Sequence, residues 1–196
     1  MKLKSVVLSA ALLVFSVGAA NASSTWLGVN AGAGVPTGDY GDAAAMGWQF
    51  GVTGTRMVND QWGFGGDVVY HMWNGSDDAN AAAELAFGPG SEFKWSAVQA
   101  TAHVTMNIPT QGGVNPYLQG GLGLYNVGLK LESPSGDADD SESKFGFNVG
   151  AGMNFASSGN MKWGVSGVYH IVPMEDLGSD VNFASFGVNV LWGVGN

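Results

Sequence analysis

Residues 145–155 read FGFNVGAGMNF. Every odd position in this stretch is apolar, and every even position is glycine or asparagine. Side chains that alternate with a period of two lie on opposite faces of a β-strand. The stretch therefore predicts a strand with one wholly apolar face and one face of small or polar groups.

Two further stretches, 98–108 and 184–190, alternate in the same way. Their polar positions carry Gly, Asn, Ser, Thr, Gln and His, but neither Lys nor Glu. In a water-soluble β-sandwich or lipocalin-like barrel, the apolar face points inward and the solvent face carries charge. We therefore infer the inverse arrangement, in which the apolar face meets lipid and the polar face lines the lumen of a membrane barrel.

The composition agrees with a membrane barrel. The chain has 32 glycines, 11% aromatic residues and only 12% charged residues, whereas a water-soluble domain is about a quarter charged. The formal net charge of −9 disfavours nucleic acid as a partner. Because there is no cysteine, disulfides, thiol catalysis and thiolate metal sites are excluded.

The first residues have the three regions of a secretory signal peptide. A basic segment with Lys2 and Lys4 precedes an apolar run over 6–20 and an A-x-A site at 20–22. The alternative, an N-terminal membrane anchor, needs about 18 or more apolar residues, and this run is shorter. We predict a signal peptide over 1–22 and one barrel domain over 23–196. Loss of Lys2 and Lys4 leaves 5 basic against 16 acidic residues, a formal charge of −11.

The pattern predicts eight strands, each about as long as a tilted strand needs to cross a bilayer. They are 25–34, 46–56, 61–73, 93–108, 115–131, 144–155, 161–172 and 182–194. The fold class is thus all-β, an eight-stranded antiparallel up-and-down transmembrane β-barrel. In the fifth strand the apolar residues change parity between Leu124 and Val127, which predicts a bulge near Asn126.

The connections between these strands alternate strictly between long and short. Segments 35–45, 74–92, 132–143 and 173–181 are long, and 58–60, 109–114 and 156–160 are short. Membrane barrels have short periplasmic turns and longer outer loops, so the alternation predicts a periplasmic N-terminus. The long segments hold nearly all the carboxylates: Asp39, Asp42, Asp77, Asp78, Glu84, Glu92, Glu132, Asp137, Asp139, Asp140, Glu142, Glu175, Asp176 and Asp180.

The positions of the aromatic residues agree with this orientation. Trp and Tyr prefer the two interfaces of a membrane. Trp62, Trp163 and Trp192 share the lipid parity of their strands and lie beside short turns or at the end of the last strand, which predicts a periplasmic girdle. Trp48 and Tyr70 are predicted to serve the outer girdle.

The chain resembles the small bacterial outer-membrane β-barrel family that includes the OmpX, OmpA N-terminal and OmpW types. The opening LGVNAGAG of 27–34, followed by PTGDY at 36–40, looks like that family's first strand and loop. Ser185, Gly187, Val190 and Trp192 resemble its insertion signal, although this chain continues for four residues beyond Trp192. The resemblance implies an outer-membrane location, contact with lipids and lipopolysaccharide, and the barrel-assembly machinery as a partner during insertion.

Three histidines, His71, His103 and His170, share the lumen parity, so they could meet inside the barrel. The alternatives are a metal site or a histidine base; we favour a hydrogen-bonded network that fills a narrow lumen. Asp67 and His71 lie about 13 Å apart along one strand, too far for direct contact.

A second candidate metal site is the acidic run of Asp137, Asp139, Asp140 and Glu142. Its carboxylates could bind Ca²⁺ or bridge to lipopolysaccharide through divalent ions, but the run lacks the EF-hand pattern. We interpret it as a solvated loop. The sequence predicts no catalytic, cofactor-binding or metal-binding residues and no cofactor.

Three functions therefore stay open. The leading hypothesis is a non-catalytic barrel with a structural or surface-interaction role. The second is a narrow passive channel for small or hydrophobic solutes, because the inward Gly146, Gly150 and Gly152 could leave a passage. The third is a lipopolysaccharide-modifying enzyme, which is disfavoured because Ser166 and His170 lie four residues apart on one strand.

Overall fold

The computed structural model describes residues 24–156, 160–174 and 180–194. The predicted signal peptide over 1–22 lies outside these residues. Among the helices of the described ranges, none has the length and apolar character needed to cross a membrane.

Eight antiparallel strands form a closed barrel in which each strand pairs with its sequence neighbours and β1 pairs with β8. The strands are β1 (Ser24–Thr37), β2 (Gly47–Met57), β3 (Trp62–Asn74), β4 (Glu92–Asn107), β5 (Val114–Glu132), β6 (Ala138–Ala156), β7 (Met161–Val172) and β8 (Val181–Val194). Helices α1 (Asp39–Ala43) and α2 (Asp77–Phe87) lie in the β1–β2 and β3–β4 connections. The predicted eight-stranded up-and-down barrel is confirmed.

The barrel carries its apolar side chains on the outside. Phe50, Phe147 and Phe186 are 54%, 49% and 57% exposed, whereas the neighbouring Gln49 and Asn148 are buried toward the lumen. Such a wall is stable only where the outer face meets lipid, because exposed apolar area is costly in water. The inversion of faces inferred from the sequence is therefore confirmed.

The two ends of the barrel differ in their connections. One end has the short turns together with the start of β1 and the end of β8, and we name it the periplasmic end. The opposite, outer end carries both helices. Trp62, Trp163 and Trp192 are exposed on the outer face near the periplasmic end, where the girdle was predicted.

The third outer connection is much shorter than predicted. Strands β5 and β6 pair as far as Leu131 and Ala138, so the connection is only 133–137 rather than 132–143. The prediction of a solvated loop for the acidic run was therefore wrong for Asp139, Asp140 and Glu142, which lie on β6. Beyond the membrane both strand faces meet water, so a polar segment can stay paired without apolar alternation.

The bulge predicted near Asn126 is absent. β5 keeps an unbroken register with β4 and β6 past this position. Val127 consequently points into the lumen and is buried. The parity of the apolar residues changes because the lumen itself becomes apolar toward the outer end, not because the strand shifts.

Helix α2 falls in a segment that the sequence pattern assigned to a long loop. The hydroxyl of Ser76 caps its start by accepting a hydrogen bond from the Ala79 amide at 3.2 Å. The same hydroxyl donates to the Asp42 carbonyl at 2.6 Å, which ties α2 to the end of α1. Gly88, with φ at 104°, follows the last helical residue.

The barrel lumen as candidate functional site

The lumen divides into two zones. Toward the outer end it is filled by a hydrophobic cluster, which we name the outer plug. The plug consists of Tyr40, Ala44, Trp73, Ala97, Tyr125, Val127, Val172, Met174, Val181 and Phe183, with Trp95 packed against it. Toward the periplasmic end lies a cavity of about 310 Å³, named the chamber, whose lining is mainly Asn, Gln, Ser and Thr side chains.

Ring contacts hold the outer plug together. The ring of Phe183 stacks on that of His170, with centroids 4.3 Å apart and planes 11° apart. Trp73 meets Phe183 edge-on at 4.9 Å and stacks on His71 at 5.5 Å. The Trp73 indole also donates to the Gly34 carbonyl at 3.2 Å, which fixes the ring to the wall. Among the described residues, close aromatic packing of this kind fills the outer part of the lumen.

Helix α1 supplies the lid of the plug. It carries Tyr40 into the barrel mouth, where the ring meets Trp73 and Trp95 edge-on at 5.6 and 5.3 Å. The Tyr40 hydroxyl is buried without a hydrogen-bond partner among the described residues. Burial raises the pKa of this hydroxyl, so it stays protonated.

Two of the three inward glycines on which the channel hypothesis rests are covered by tyrosine rings. A side chain at Gly146 would come within 2.8 Å of the Tyr125 ring, and one at Gly152 would collide with the Tyr117 ring. Gly150 lies against the backbone of the neighbouring strand β7. Gly146 and Gly152 therefore make room for the rings of Tyr125 and Tyr117, which lie over β6.

His170 is hydrogen-bonded on both ring nitrogens. Its Nε2 lies 2.9 Å from the Ser185 Oγ, and its Nδ1 lies 3.0 Å from the Tyr125 hydroxyl. Asn148 donates to the same hydroxyl at 3.2 Å, which leaves the tyrosine to donate its own proton to Nδ1. Nε2 then carries the ring proton and donates to Ser185. In this tautomer His170 cannot act as a base toward the serine.

His71 lies beside His170, with ring centroids 5.4 Å apart. Its Nε2 donates to the Gln99 Oε1 at 3.0 Å, and the Gln99 amide donates to Thr101 at 2.9 Å. His71 is fully buried. The prediction that the three histidines meet thus holds for His71 and His170 only.

His103 belongs to a separate network in the periplasmic half. Its Nδ1 lies 2.8 Å from an Asp67 carboxylate oxygen, and its Nε2 lies 3.0 Å from the Thr55 Oγ1. Gln119 donates to the same Asp67 oxygen at 3.4 Å. The network follows from register, because Thr55, Gly65 and His103 are direct partners across β2, β3 and β4. The missing side chain at Gly65 lets its two neighbours meet across β3.

Neither this network nor the Ser185–His170 pair was predicted from the sequence. Polar residues along a single strand do not show these contacts, because both contacts join different strands. The signal was present in the register: short turns fix the pairing of consecutive strands, so diagonal partners two positions apart could be read from the hairpins. Among the described residues, no group of three or more His, Cys, Asp and Glu side chains could hold a metal ion.

Outside the lumen, the outer rim carries an ion cluster. Glu132 pairs with Lys94 and, at 2.8 Å, with Lys130, which also lies 2.9 Å from Asp137. These residues lie beyond the apolar belt, which on β5 ends near Leu124. Hydrogen bonds from Lys130 and Lys94 lower the pKa of Glu132 to about 2.

The fold and the two-zone lumen define a class, the small integral membrane β-barrels. Comparison with protein-family models refines the class. Residues 7–193 match the outer membrane protein beta-barrel domain, so the chain belongs to this family and is an outer-membrane protein. No curated protein sequence matches it.

Solved structures show the same architecture at low sequence identity. Neisserial surface protein A aligns with a TM-score of 0.60 at 18% identity, over 88% of this chain and 99% of that one. Ail, the attachment invasion locus protein of Yersinia pestis, aligns at 0.55 and 18% identity, over 89% and 100%. A major outer membrane protein from Thermus thermophilus aligns at 0.52 and 12% identity, over 87% and 99%.

Proposed function

We propose that this protein is a non-conducting, non-catalytic barrel that anchors an acidic outer surface in the membrane for interaction with cationic partners. The observation that carries the proposal is the outer plug. A lumen closed by packed rings at its outer end transports no solute, so the exposed outer surface is left as the functional part.

The outer surface supports the interaction role through its charge. Its exposed carboxylates include Asp39, Asp42, Asp77, Asp78, Glu84, Asp137, Asp139, Asp140 and Asp180. Several are displayed on rigid elements, since α2 is capped and tied to α1 and the β5–β6 hairpin continues the barrel wall. A dense field of one sign attracts partners of the opposite sign over about a Debye length.

The sign of this surface separates the chain from a relative of the same fold. Ail has been crystallised in complex with the heparin analogue sucrose octasulfate, a polyanion. A polyanion would be repelled by the carboxylates of this chain. We therefore expect basic proteins or peptides, rather than sulfated glycans, as ligands of the outer surface.

We propose a structural role for the lumen networks. Thr55, His103 and Asp67 have the connectivity of a hydrolase relay, yet their register across three strands accounts for them as links in the wall. The tautomer inferred for His170 disfavours activation of Ser185. Incubation of the barrel with a fluorophosphonate probe tests this view: we expect no labelling, and labelling abolished by Thr55→Val or Ser185→Ala would refute it.

Planar-bilayer recording of the folded protein tests the closed lumen. We expect no stepwise conductance from the native barrel. A variant that removes two plug rings, Trp73→Ala with Phe183→Ala, should conduct, which shows that the assay detects an open lumen. Reproducible conductance from the native barrel would favour the passive-channel alternative and overturn the proposal.

Capture on charged surfaces tests the interaction role. The barrel in nanodiscs of zwitterionic lipid should bind immobilised poly-lysine and not heparin, and added salt should weaken the binding. Neutralising α2 by Asp77→Asn, Asp78→Asn and Glu84→Gln should weaken it. The matched control Asp60→Asn, in a periplasmic turn, should not. Equal binding to heparin and poly-lysine would contradict the proposed role.

The domain organisation is also a proposal. We infer that residues 1–22 are removed on export, which the charged start, apolar run and A-x-A site support. The intact mass of the protein purified from outer membranes should then correspond to a chain beginning at Ser23. A mass that includes Met1 would indicate an uncleaved leader.

A further inference from the structure

On the lipid-facing wall of the barrel, apolar residues give way to charged residues between two neighbouring rows near the outer end. Trp48, Met72 and Ser96 form one row in register across β2, β3 and β4. The next row toward the outer end is Asn74, Lys94, Lys130 and Asp139 across β3, β4, β5 and β6. On the same outward face, the apolar Trp48 and Met72 of β2 and β3 thus lie one row below the lysines of β4 and β5 and to one side of them.

A crevice joins the two rows. It has a volume of about 370 Å³, and its lining includes Met46, Trp48, Tyr70, Met72, Lys94 and Lys130. Met46 and Trp48 are 67% and 69% exposed, so the apolar part of the crevice faces lipid. An apolar lower part beneath a charged upper part matches the two ends of a membrane lipid.

The two ammonium groups are held close together with donors to spare. Glu132 bonds to both lysines, and Asp137 bonds to Lys130. Each ammonium has three N–H donors. With these bonds made, Lys94 has two donors left and Lys130 has one. The lysine side chains remain 40% and 42% exposed, so the remaining donors can be reached from the membrane surface.

The charge of the lysines indicates which kind of ligand their free N–H donors would bind. Most of the surrounding outer surface is acidic, whereas this pair of lysines lies on the membrane-facing side of the rim. Lysine ammonium groups bind phosphate oxygens as point charges, and basic pockets beside membrane spans bind anionic lipid headgroups. A soluble anion would use the lysines but leave the row of Trp48 and Met72 without a partner.

We propose that this crevice binds a phosphorylated glycolipid of the outer leaflet, with its phosphate on Lys94 and Lys130 and an acyl chain along Trp48 and Met72. Glu132 positions the two lysines and does not touch the lipid. The inference depends on the outer-membrane location and is independent of whether the lumen conducts or which partner the acidic surface binds.

Native mass spectrometry of the folded barrel tests the site. The protein is released from nanodiscs that contain either lipid A, which carries phosphates, or its dephosphorylated form. We expect retention of lipid A and little retention of the dephosphorylated lipid. Equal retention of the two lipids would overturn the proposal, because it would show that the lysines make no contact with the phosphates.

Variants locate the site. Each lysine near an anionic surface contributes a factor of about 5, so Lys94→Gln with Lys130→Gln should reduce lipid A retention about 25-fold. The matched control is Arg56→Gln, which removes a cation of the same lipid parity near the periplasmic end. An equal loss in both variants would place the phosphate contact elsewhere and overturn the assignment.

Two further measurements distinguish a lipid site from a site for soluble anions, and a third verifies that the variants are folded. Asp137→Asn removes a competing carboxylate, so it should increase lipid A retention; a decrease would contradict the proposal. Inorganic phosphate at millimolar concentration should displace little lipid A. Complete displacement would identify a site for soluble anions in place of a lipid site. Heat-dependent gel mobility verifies that each variant is folded.

Discussion

The two halves of the lumen share the same eight strands and differ in what fills them. In the outer plug, rings pack against rings, and the Tyr40 hydroxyl is buried without a partner among the described residues. In the chamber, amides and hydroxyls surround a cavity that water can enter. Packing therefore dominates the outer half, and hydrogen bonding dominates the periplasmic half.

This difference shows how one wall supports two kinds of interior. Rings exclude water, so a polar group lost or gained in the plug changes stability by its full desolvation cost. In the chamber, water can replace a lost partner. The same chemical change should therefore cost more in the plug than in the chamber.

The largest effect is expected from Phe183→Ala. Removing a fully buried ring lowers the free energy of unfolding by about 3–5 kcal/mol, measured by urea titration of the barrel in lipid vesicles. The matched control is Phe186→Ala on the same strand, which faces lipid and should cost much less. Equal losses in the two variants would show that the plug is not a packed core.

Tyr125→Phe tests the cost of losing a hydrogen bond in the outer plug. The change removes the hydroxyl that bonds to His170 and Asn148, and it leaves these two buried side chains without that partner. We expect a loss of about 1–3 kcal/mol in the free energy of unfolding. A neutral result would indicate that water enters the plug.

Thr55→Val removes a hydroxyl in the same way beside the chamber. The isosteric variant removes the partner of His103 Nε2, but Thr55 lines the chamber. Because His103 keeps its bond to Asp67 and the site borders the chamber, the loss should be at most about 1 kcal/mol, below that of Tyr125→Phe under the same urea titration. A larger loss in Thr55→Val than in Tyr125→Phe would contradict the proposed difference between the two halves of the lumen.

Tyr40→Phe is expected to act in the opposite direction. The hydroxyl is buried without a partner among the described residues, so its removal leaves the ring packing intact and abolishes a desolvation cost. Thermal unfolding should show a stability unchanged or raised by up to about 1 kcal/mol. A marked loss would mean that the hydroxyl has a water or loop partner.

The smallest effect concerns the outer rim, where solvent surrounds the charges. The pKa of Glu132 lies at about 2, below its usual value of about 4.3. Its ion pairs should therefore contribute fully above pH 4.3 and be lost as the pH falls through 2. The ¹³C shift of its carboxyl group should titrate near pH 2, and nearer 4.3 in Lys130→Gln. A native midpoint near 4.3 would show that the cluster does not form.

Much of the architecture could be predicted because alternation reports which face of a strand meets lipid. The alternating positions of apolar residues such as Phe147 and Phe186 predicted which strand face meets lipid. The short turns between consecutive strands predicted the order of the strands. The outer ends were harder. The polar residues of 138–143 gave no alternation, and α2 depends on a cap and on contacts with α1 rather than on a strong apolar stripe.

The candidate site could be predicted only in outline. The inward parity of Asp67 and the three histidines was correct, but their partners lie on other strands. A bulge was predicted near Asn126 because the sequence does not reveal that the outer lumen is apolar. That property arises when side chains of several strands meet inside the barrel together with Tyr40, which comes from a connection far away in the chain.

The sequence by itself determined the strand count, the inverted faces and the acidic outer end, because each depends on local periodicity and charge. Only the tertiary structure decided how the lumen is filled. The pairing of β5, β6 and β7 brings Tyr125 across Gly146 to His170, and the pairing of β2, β3 and β4 brings Thr55 across Gly65 to His103. Such contacts depend on the register between strands and on the space left by a glycine, which no single strand contains.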